Sequence, residues 1–509
     1  MKGIEEEIPD GKPKQPTRRD TSAVVDGFSG LERLLVRLSL PETYSTFGFS
    51  KESPDRTGRP RDYPPELYSA VAALRDVHPE VRKLHRHITG NKTLIAAAWD
   101  GVLRFGQPVD EYQRAEWQQM RDEFAFPSRA TLNRRLNDVQ RDPQSELIKS
   151  NVTIAIELGY FQPHQDSPTL GRGRVMTADG TVFEGPSTVK SRQTKNPATG
   201  EIHDRRFDEM SHVYVDGTGK KIWGPKFAIL GAQALPHLPY GISLAACHVV
   251  GRSPSDEVDV TLNLVEEVDR LLMRHLCKAE ALFMDGAPAA KHILRLLELE
   301  MAAVCPPTRK ASGRDGTDPI ERIHHIGTFT TRSGTARLML EGSVIYQLIN
   351  VAGQSEKHQV AQKPKIIKRV TEDAVRQYLY VEVITLEGDM IRIPISRLDG
   401  RNGRPNETEE EHFHRLSLMR IAARNLAEWN ETHGANRGTS ERKNGKLDAA
   451  FTNKRIPAYG KHRQQCVITD MLIGEALDLL ALHRAQMGVL NTVAYPDGCD
   501  GLTIWPPAA

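Results

Sequence analysis

Between Phe28 and about Phe161, apolar residues recur at intervals of three and four, the spacing of helices with one buried face. The segments FSGLERLLVRL, PPELYSAVAALRDV, PEVRKLHRHI and TLIAAAWDGVL carry this pattern with almost no two-residue alternation. Near Arg174 the period changes. VMTADGTVF, KFAILGAQAL and GISLAACHVV have the alternating, β-favouring character of strands, and three in succession predict an antiparallel opening to a sheet. Ser253 is then an N-cap, Pro254 a first helical residue and Asp256 an acid at the third position, which predicts a helix of about five turns over DEVDVTLNLVEEVDRLLMRH. AEALFMD reads as a short buried strand, APAAKHILRLLELEM as a helix and AAVCPP as a strand ended by prolines. The order is β-β-β-α-β-α-β.

From about Lys310 to Leu398 the chain is loop-rich and β-like, as in ARLMLEGSVIYQLI, YLYVEVITL and MIRIPISRL, a longer detour than an α/β core needs. Helical periodicity resumes at ETEEEHFHRLSLMRIAARNLAEWNE and continues to about Met487. Val467 to His483 is the most apolar late stretch, yet it holds Asp470, Glu475 and Asp478 and is too short to cross a bilayer, which predicts a packed amphipathic helix. The expected organisation is a disordered tail over 1–24, a helical domain over 25–165, the first part of an α/β core over 170–309, a β-rich insertion over 310–400, helices completing the core over 405–488 and a tail over 489–509.

A chain of 509 residues has ample length for several cores. Its formal net charge of +2 neither demands nor excludes a polyanionic partner, so any case for nucleic acid rests on local clusters. Cys247, Cys277, Cys305, Cys466 and Cys499 lie far apart, with no C-x-x-C spacing for a zinc site, and read as free thiols of a reducing compartment. MKGIEEEIPDGKPKQPTRRD is charged and lacks an apolar core, so it reads as neither signal peptide nor membrane anchor, with the cytoplasm as the default location. No G-x-x-x-x-G-K-[ST] loop suggests a nucleotide cofactor, no G-x-S-x-G elbow suggests a hydrolase, and His324-His325 and His412-Phe413-His414 lack the i, i+4 spacing of a helical zinc pair.

Two aspartates stand where carboxylates are costly without a partner. Asp179 falls within the strand-like VMTADGTVF, where a metal would offset burial; the alternative is an Asp179-Gly180 hairpin turn. Asp285 ends ALFMD at a strand's C-terminal edge, where α/β proteins bind ligands; the alternative is a cap for the helix that follows.

This order of elements, with one carboxylate on the first strand and a second just after the fourth, resembles the ribonuclease H-like core of DDE transposases and retroviral integrases. A β-rich insertion ahead of the last catalytic helix is common in related insertion-sequence transposases. The resemblance implies a third acid on a late helix. In RGTSERKNGKLDAAF, Glu441 with Arg437 four residues earlier matches the Arg-x-x-x-Glu half of one group's signature. Gly434 stands where that signature has tyrosine, and Asp448 where it has lysine, with Lys446 the nearest substitute. Glu428, Glu431 and Glu321 are rivals, and a solvated helical glutamate is the alternative role for Glu441.

The family implies Asp179, Asp285 and Glu441 as catalytic ligands of two Mg2+ (or Mn2+) ions, hard cations that prefer oxygen, activate a nucleophile and neutralise phosphorane charge. The partners implied are double-stranded DNA, at transposon ends, which the helical domain over 25–165 would bind, and at the target, and a second copy of the chain at synapsis. The alternatives are a domesticated or inactive DNA-binding copy, and a ribonuclease H-like nuclease without strand transfer.

Two basic groups are candidates for phosphate. Arg437, Arg442, Lys443, Lys446, Lys454, Arg455, Lys461 and Arg463 surround the late helix, and Lys357, Lys363, Lys365, Lys368 and Arg369 fall in the β-rich stretch, where a solvated surface is the favoured reading. In FPSRATLNRRLNDVQRD, Ser128 is a plausible N-cap and Arg129, Asn133 and Arg135 neighbour one another on a short helix, either a recognition helix or a solvated face of a bundle.

Overall fold

The computed structural model describes residues 30–45, 47–49, 63–162, 172–215, 219–251, 253–284, 292, 295–296, 298–299, 301–304, 323–341, 344–370, 375–394, 444–445, 447, 449–451 and 455–487. Helices fill the first part: α1 (Gly30–Leu38), α2 (Glu42–Ser45), α3 (Pro65–Ala72), α4 (Val81–Thr89), α5 (Lys92–Phe105), α6 (Glu111–Asp122), α7 (Arg129–Leu136) and α8 (Pro143–Glu157). Local chemistry sets several starts. Asn91, Asp110, Ser128 and Asp142 each accept a hydrogen bond from the backbone N–H three residues on, satisfying a donor that the first helical turn leaves without a partner.

The chain then enters a mixed α/β unit. β1 (Val175–Val182) is followed by two small hairpins, β2 (Gln193–Lys195) with β3 (Ile202–Asp204), and β4 (His212–Val215) with β5 (Lys221–Gly224). β6 (Lys226–Ala232), β7 (Ser243–His248), helix α9 (Pro254–Arg274), β8 (Ala281–Phe283) and β9 (Ala302–Val304) follow. The main sheet has the order β7-β6-β1-β8-β9. β1, β6 and β7 are antiparallel neighbours, whereas β8 runs parallel to β1 and β9 parallel to β8. The three consecutive sheet strands are legible as such in the sequence, but the polar stretch between the first two holds paired strands that its composition does not announce. α9 starts with the expected capping box between Ser253 and Asp256.

Alternation along β1 assigns the two faces of the sheet. Gly180 faces α9, since a Cβ there would meet the Glu257 carboxylate. The other face carries Asp179 and, just past the strand end, Phe183, which packs edge-on against Phe227 and Phe451. It is covered by the segment around Leu447 and Phe451, both buried, and by the last helix, α10 (Lys461–Gln486).

The sequence predicts an amphipathic α10. Instead the helix is enclosed almost all round, with every residue from Gln464 to Gly474 buried. Its acids explain how. Asp470, fully buried, meets Arg75 at 2.8 Å and Arg141 at 2.7 Å, and Arg141 also meets Glu146 at 2.6 Å. Two turns further along the helix, Asp478 pairs with Arg33 and Arg37, which both also pair with Asp76. Charges that would be prohibitive singly are tolerated because each is paired and hydrogen-bonded. Asn151 of α8 adds a neutral tie, donating to the Ser243 carbonyl of β7 at 2.7 Å and to the Leu472 carbonyl of α10 at 3.2 Å.

Beyond β9 the β-like stretch forms two antiparallel sheets. One is β10 (Ile323–Thr331), β11 (Gly334–Glu341), β12 (Val344–Val351) and β13 (Gln354–Gln359); the other is β14 (Ala361–Val370), β15 (Val375–Ile384) and β16 (Met390–Pro394). Gln347 links them, donating to the Glu387 carboxylate and accepting from the Leu386 N–H at 3.0 Å.

Candidate functional site

Asp179 is not in a turn. It pairs with Ile229 and Gly180 with Ala228 in the continuous β1–β6 ladder, so the hairpin alternative is excluded. The strand is buried as far as Ala178 and becomes half-buried from Asp179 onward, which brings the carboxylate to the margin of the core. There it accepts a hydrogen bond from Asn444 Nδ2 at 2.8 Å. A carboxylate only accepts, which fixes the amide nitrogen as the atom facing it.

Asn444 lies three residues after Glu441. It is positioned by hydrophobic packing just beyond it: Leu447 and Phe451 are 1 % and 3 % exposed, and Phe451 meets Phe183 edge-on with ring centroids 5.2 Å apart. Phe183 lies on the same face of the sheet as Asp179, so one contact docks the late segment and the other brings its polar residue to the aspartate. The next residue, Glu184, forms a parallel bridge to Arg455, and its carbonyl accepts from Ile456 N–H at 3.0 Å.

Behind Asp179, on the opposite face, Lys226 and Glu257 form an ion pair in which each side chain is less than a fifth exposed. Gly180 makes room for it. A Cβ at Gly180 would lie 2.2 Å from Glu257 Oε1, so only glycine lets this pair close against the strand without displacement.

Asp285 lies outside the described residues. The strand preceding it does not: Val175, Met176 and Thr177 pair in parallel with Ala281, Leu282 and Phe283. Glu441 and its rivals Glu321, Glu428 and Glu431 also lie outside, as do Arg437, Arg442, Lys443, Lys446 and Lys454. Among the described residues, no group of three or more histidine, cysteine or acidic side chains is placed to hold a metal ion.

The other expected contacts separate. Ser128 caps α7 as anticipated, but Arg135 turns inward: it is 5 % exposed, its guanidinium lies 5.0 Å from the centre of the Tyr68 ring, and Asp138 is 3.6 Å away. Its charge serves the helical bundle and is not presented outward. Arg129 and Asn133 are exposed, with Arg134 beside them. Arg455 is exposed and lies 3.9 Å from Glu184. Lys357 is exposed on β13, over the Tyr346 ring, and Lys363, Lys365, Lys368 and Arg369 fall on β14.

Sequence reasoning missed Asn444 and the Lys226–Glu257 pair. The only advance signal for Asn444 is its place in the basic stretch after Glu441; the pair has none. Cys247, Cys277 and Cys466 are free thiols, and burial pushes Cys466 up to about 12, which makes it chemically quiet. No helix among the described residues is long and apolar enough to cross a membrane. Comparison of the chain with protein-family models and with curated protein sequences finds no match.

Proposed function

We propose that the chain is a DDE-type DNA transposase with a ribonuclease H-like core, which cleaves at transposon ends and transfers the strand to target DNA. The observation that carries this reading is the contact between Asp179, on the central strand of a five-stranded sheet, and Asn444, three residues beyond the candidate third acid. Three antiparallel strands followed by two parallel ones, in the order β7-β6-β1-β8-β9, are the arrangement such a core requires. The parallel pairing of β8, the strand that ends two residues before Asp285 in the chain, with β1, the strand that carries Asp179, adds to this.

The donor chemistry fits hard divalent cations. Asp179, Asp285 and Glu441 would hold two Mg2+ ions, which supply nucleophile activation and charge neutralisation when bound. Asn444 engages Oδ2 of Asp179 and would fix that carboxylate's rotamer. Phe183, Phe227 and Phe451 wall the inner side with apolar surface and limit water there.

The test supplies the full chain and Mg2+ with duplexes made from the DNA bordering its gene on each side, one of them pre-cut with a free 3′ hydroxyl, plus a plasmid target. Joining of the pre-cut end by the wild type, and none by Asp179→Asn or Asp285→Asn, is the expected result. Cleavage without joining would identify a nuclease, and binding with neither reaction in Mg2+ or Mn2+ a non-catalytic DNA-binding protein; each overturns the proposal.

A further inference from the structure

Because Arg135 turns inward, α7 by itself presents a weaker cationic face than its sequence suggests. α4 makes up the difference. It buries Leu84 and Ile88, each 1 % exposed, and leaves Arg82, Lys83 and Arg86 on the solvent side. α7 buries Leu132 and Leu136 and leaves Arg129, Asn133 and Arg134 exposed. The two helices are separated in sequence by α5 and α6, yet they pack against each other. His85 fixes the junction: its ring lies 5.8 Å from that of Phe126, and Nε2 donates to the Pro127 carbonyl at 3.2 Å. Arg82 and Arg86 flank His85 in the chain and Arg129 follows Pro127 by two residues, so this contact brings the two basic stretches together.

The charge on these helices is of one sign. Val81–Thr89 and Arg129–Leu136 hold six basic residues, Arg82, Lys83, Arg86, Arg129, Arg134 and Arg135, and no acid. The acids that border them are matched by neighbours: Glu80 lies 3.1 Å from Lys83, and Asp138 lies 3.6 Å from Arg135. Six bases less those two acids leave an excess of four, against +2 for the whole chain. Asp122 and Glu123, at the end of α6, are held by Arg121 and Gln119. Arg82, Arg86 and Arg129 form no ion pair among the described residues.

The face does not stop at α7. His462 donates from Nε2 to the Asp138 carbonyl at 2.7 Å, so the end of α7 abuts the first turn of α10, where Lys461 and Arg463 are exposed. No acid lies between Asp448 and Asp470 in the chain. The segment leading into α10 is the one whose Arg455 bridges Glu184, five residues after Asp179. A line of contacts thus connects α4 and α7 with the edge that carries the candidate site.

We propose that Arg82, Arg86, Arg129 and Arg134, continued by Lys461 and Arg463, hold the phosphate backbone of duplex DNA and lead it toward Asp179. The charge pattern identifies a polyanion; the choice of duplex DNA rests on the function proposed above. Contacts to phosphate position a duplex without reading its bases, so this face serves DNA of any sequence, the target included.

The experiment measures binding of the full chain by fluorescence anisotropy, over a salt series without divalent metal. Two labelled duplexes are compared, one of arbitrary sequence and one from the DNA bordering the gene. Arg82→Ala, Arg86→Ala, Arg129→Ala and Arg134→Ala together should weaken binding to both about tenfold or more at low salt, and the slope of log affinity against log salt should be shallower by about 0.9 for each phosphate no longer neutralised. Lys461→Ala with Arg463→Ala should act in the same direction by a smaller amount. Removing four exposed charges elsewhere, with Arg104→Ala, Arg114→Ala, Arg270→Ala and Arg274→Ala, should change both quantities less. If the first variant unfolds at lower denaturant than wild type, the double reversal Arg86→Glu, Arg129→Glu repeats the test at two exposed sites without ion pairs.

Unchanged affinity and slope in either the α4–α7 variant or the Lys461 variant, with an unaltered unfolding midpoint, would overturn the proposal. So would a loss confined to the bordering duplex, which would make the face a reader of sequence, or tighter binding to a single-stranded RNA of equal length. These outcomes are separable from failure of the transposase reading, because the face is read by metal-free binding and the enzyme by metal-dependent joining of a pre-cut end.

Discussion

Asn444 donates to the carboxylate of Asp179 at 2.8 Å, joining two residues that stand 265 positions apart in the chain. The contact makes Asp179→Asn an unusually clean probe. An asparagine at 179 keeps an oxygen that can accept from Asn444, so the variant loses charge without losing the hydrogen bond. It should unfold within about 1 kcal/mol of wild type in denaturant while losing strand joining altogether. A large drop in stability would mark Asp179 as structural.

Removing the other partner should behave differently. Asn444→Ala takes a charge-assisted hydrogen bond from a half-buried carboxylate and should lower stability by about 1–2 kcal/mol. If Asn444 fixes the carboxylate's rotamer, the variant also needs more Mg2+ for half-maximal activity, a shift that a purely structural role would not produce.

Gly180→Ala should push the Glu257 carboxylate off the strand and open its pair with Lys226, costing about 1–3 kcal/mol in chemical unfolding. The obstruction is the end of one side chain, so Glu257→Ala in the same molecule should cancel part of that loss. Additive destabilisation would show that the crowding lies elsewhere.

The buried ion cluster offers a larger effect. Asp470→Ala leaves Arg75 and Arg141 without their shared carboxylate in the buried interior, and should cost about 3–5 kcal/mol, read as a lowered denaturation midpoint.

His248 predicts a pH dependence. Burial pushes it down to about 3, and Nε2 faces the Lys461 carbonyl at 3.1 Å, so the neutral ring with its proton on Nε2 is the folded form. The unfolded chain takes up a proton below about 6.5 and the folded one does not. The contribution is therefore full above about 6.5 and is lost progressively as pH falls toward 3. His248→Gln should flatten the stability curve across that window; an equally steep curve would assign the acid sensitivity to other groups.

The alternation of VMTADGTVF and the apolar runs after it make the central sheet legible, because strand burial writes itself into a two-residue period. The Ser253–Asp256 cap is legible because it is local. Arg135 is not: on a short helix its neighbours suggest an outward face, and only the tertiary position of Tyr68 turns it in. The three acids of the last helix signal that partners exist without saying which, since Arg33, Arg37, Arg75 and Arg141 come from segments far away in the chain. The β2–β3 ribbon is illegible because its residues are polar on both faces and carry no burial period.

The enclosure of α10 also bears on how the protein is made. Arg37 and Arg141 meet one carboxylate early, in Asp76 and Glu146, but Arg75 emerges from the ribosome 395 residues before its partner Asp470. Until Asp470 is synthesised, the N-terminal helices would have to bury Arg75 without that carboxylate or leave their interior open. The start of the polypeptide thus waits on its end, and a fragment stopping short of Lys461 should stay loosely assembled however good its own helices are.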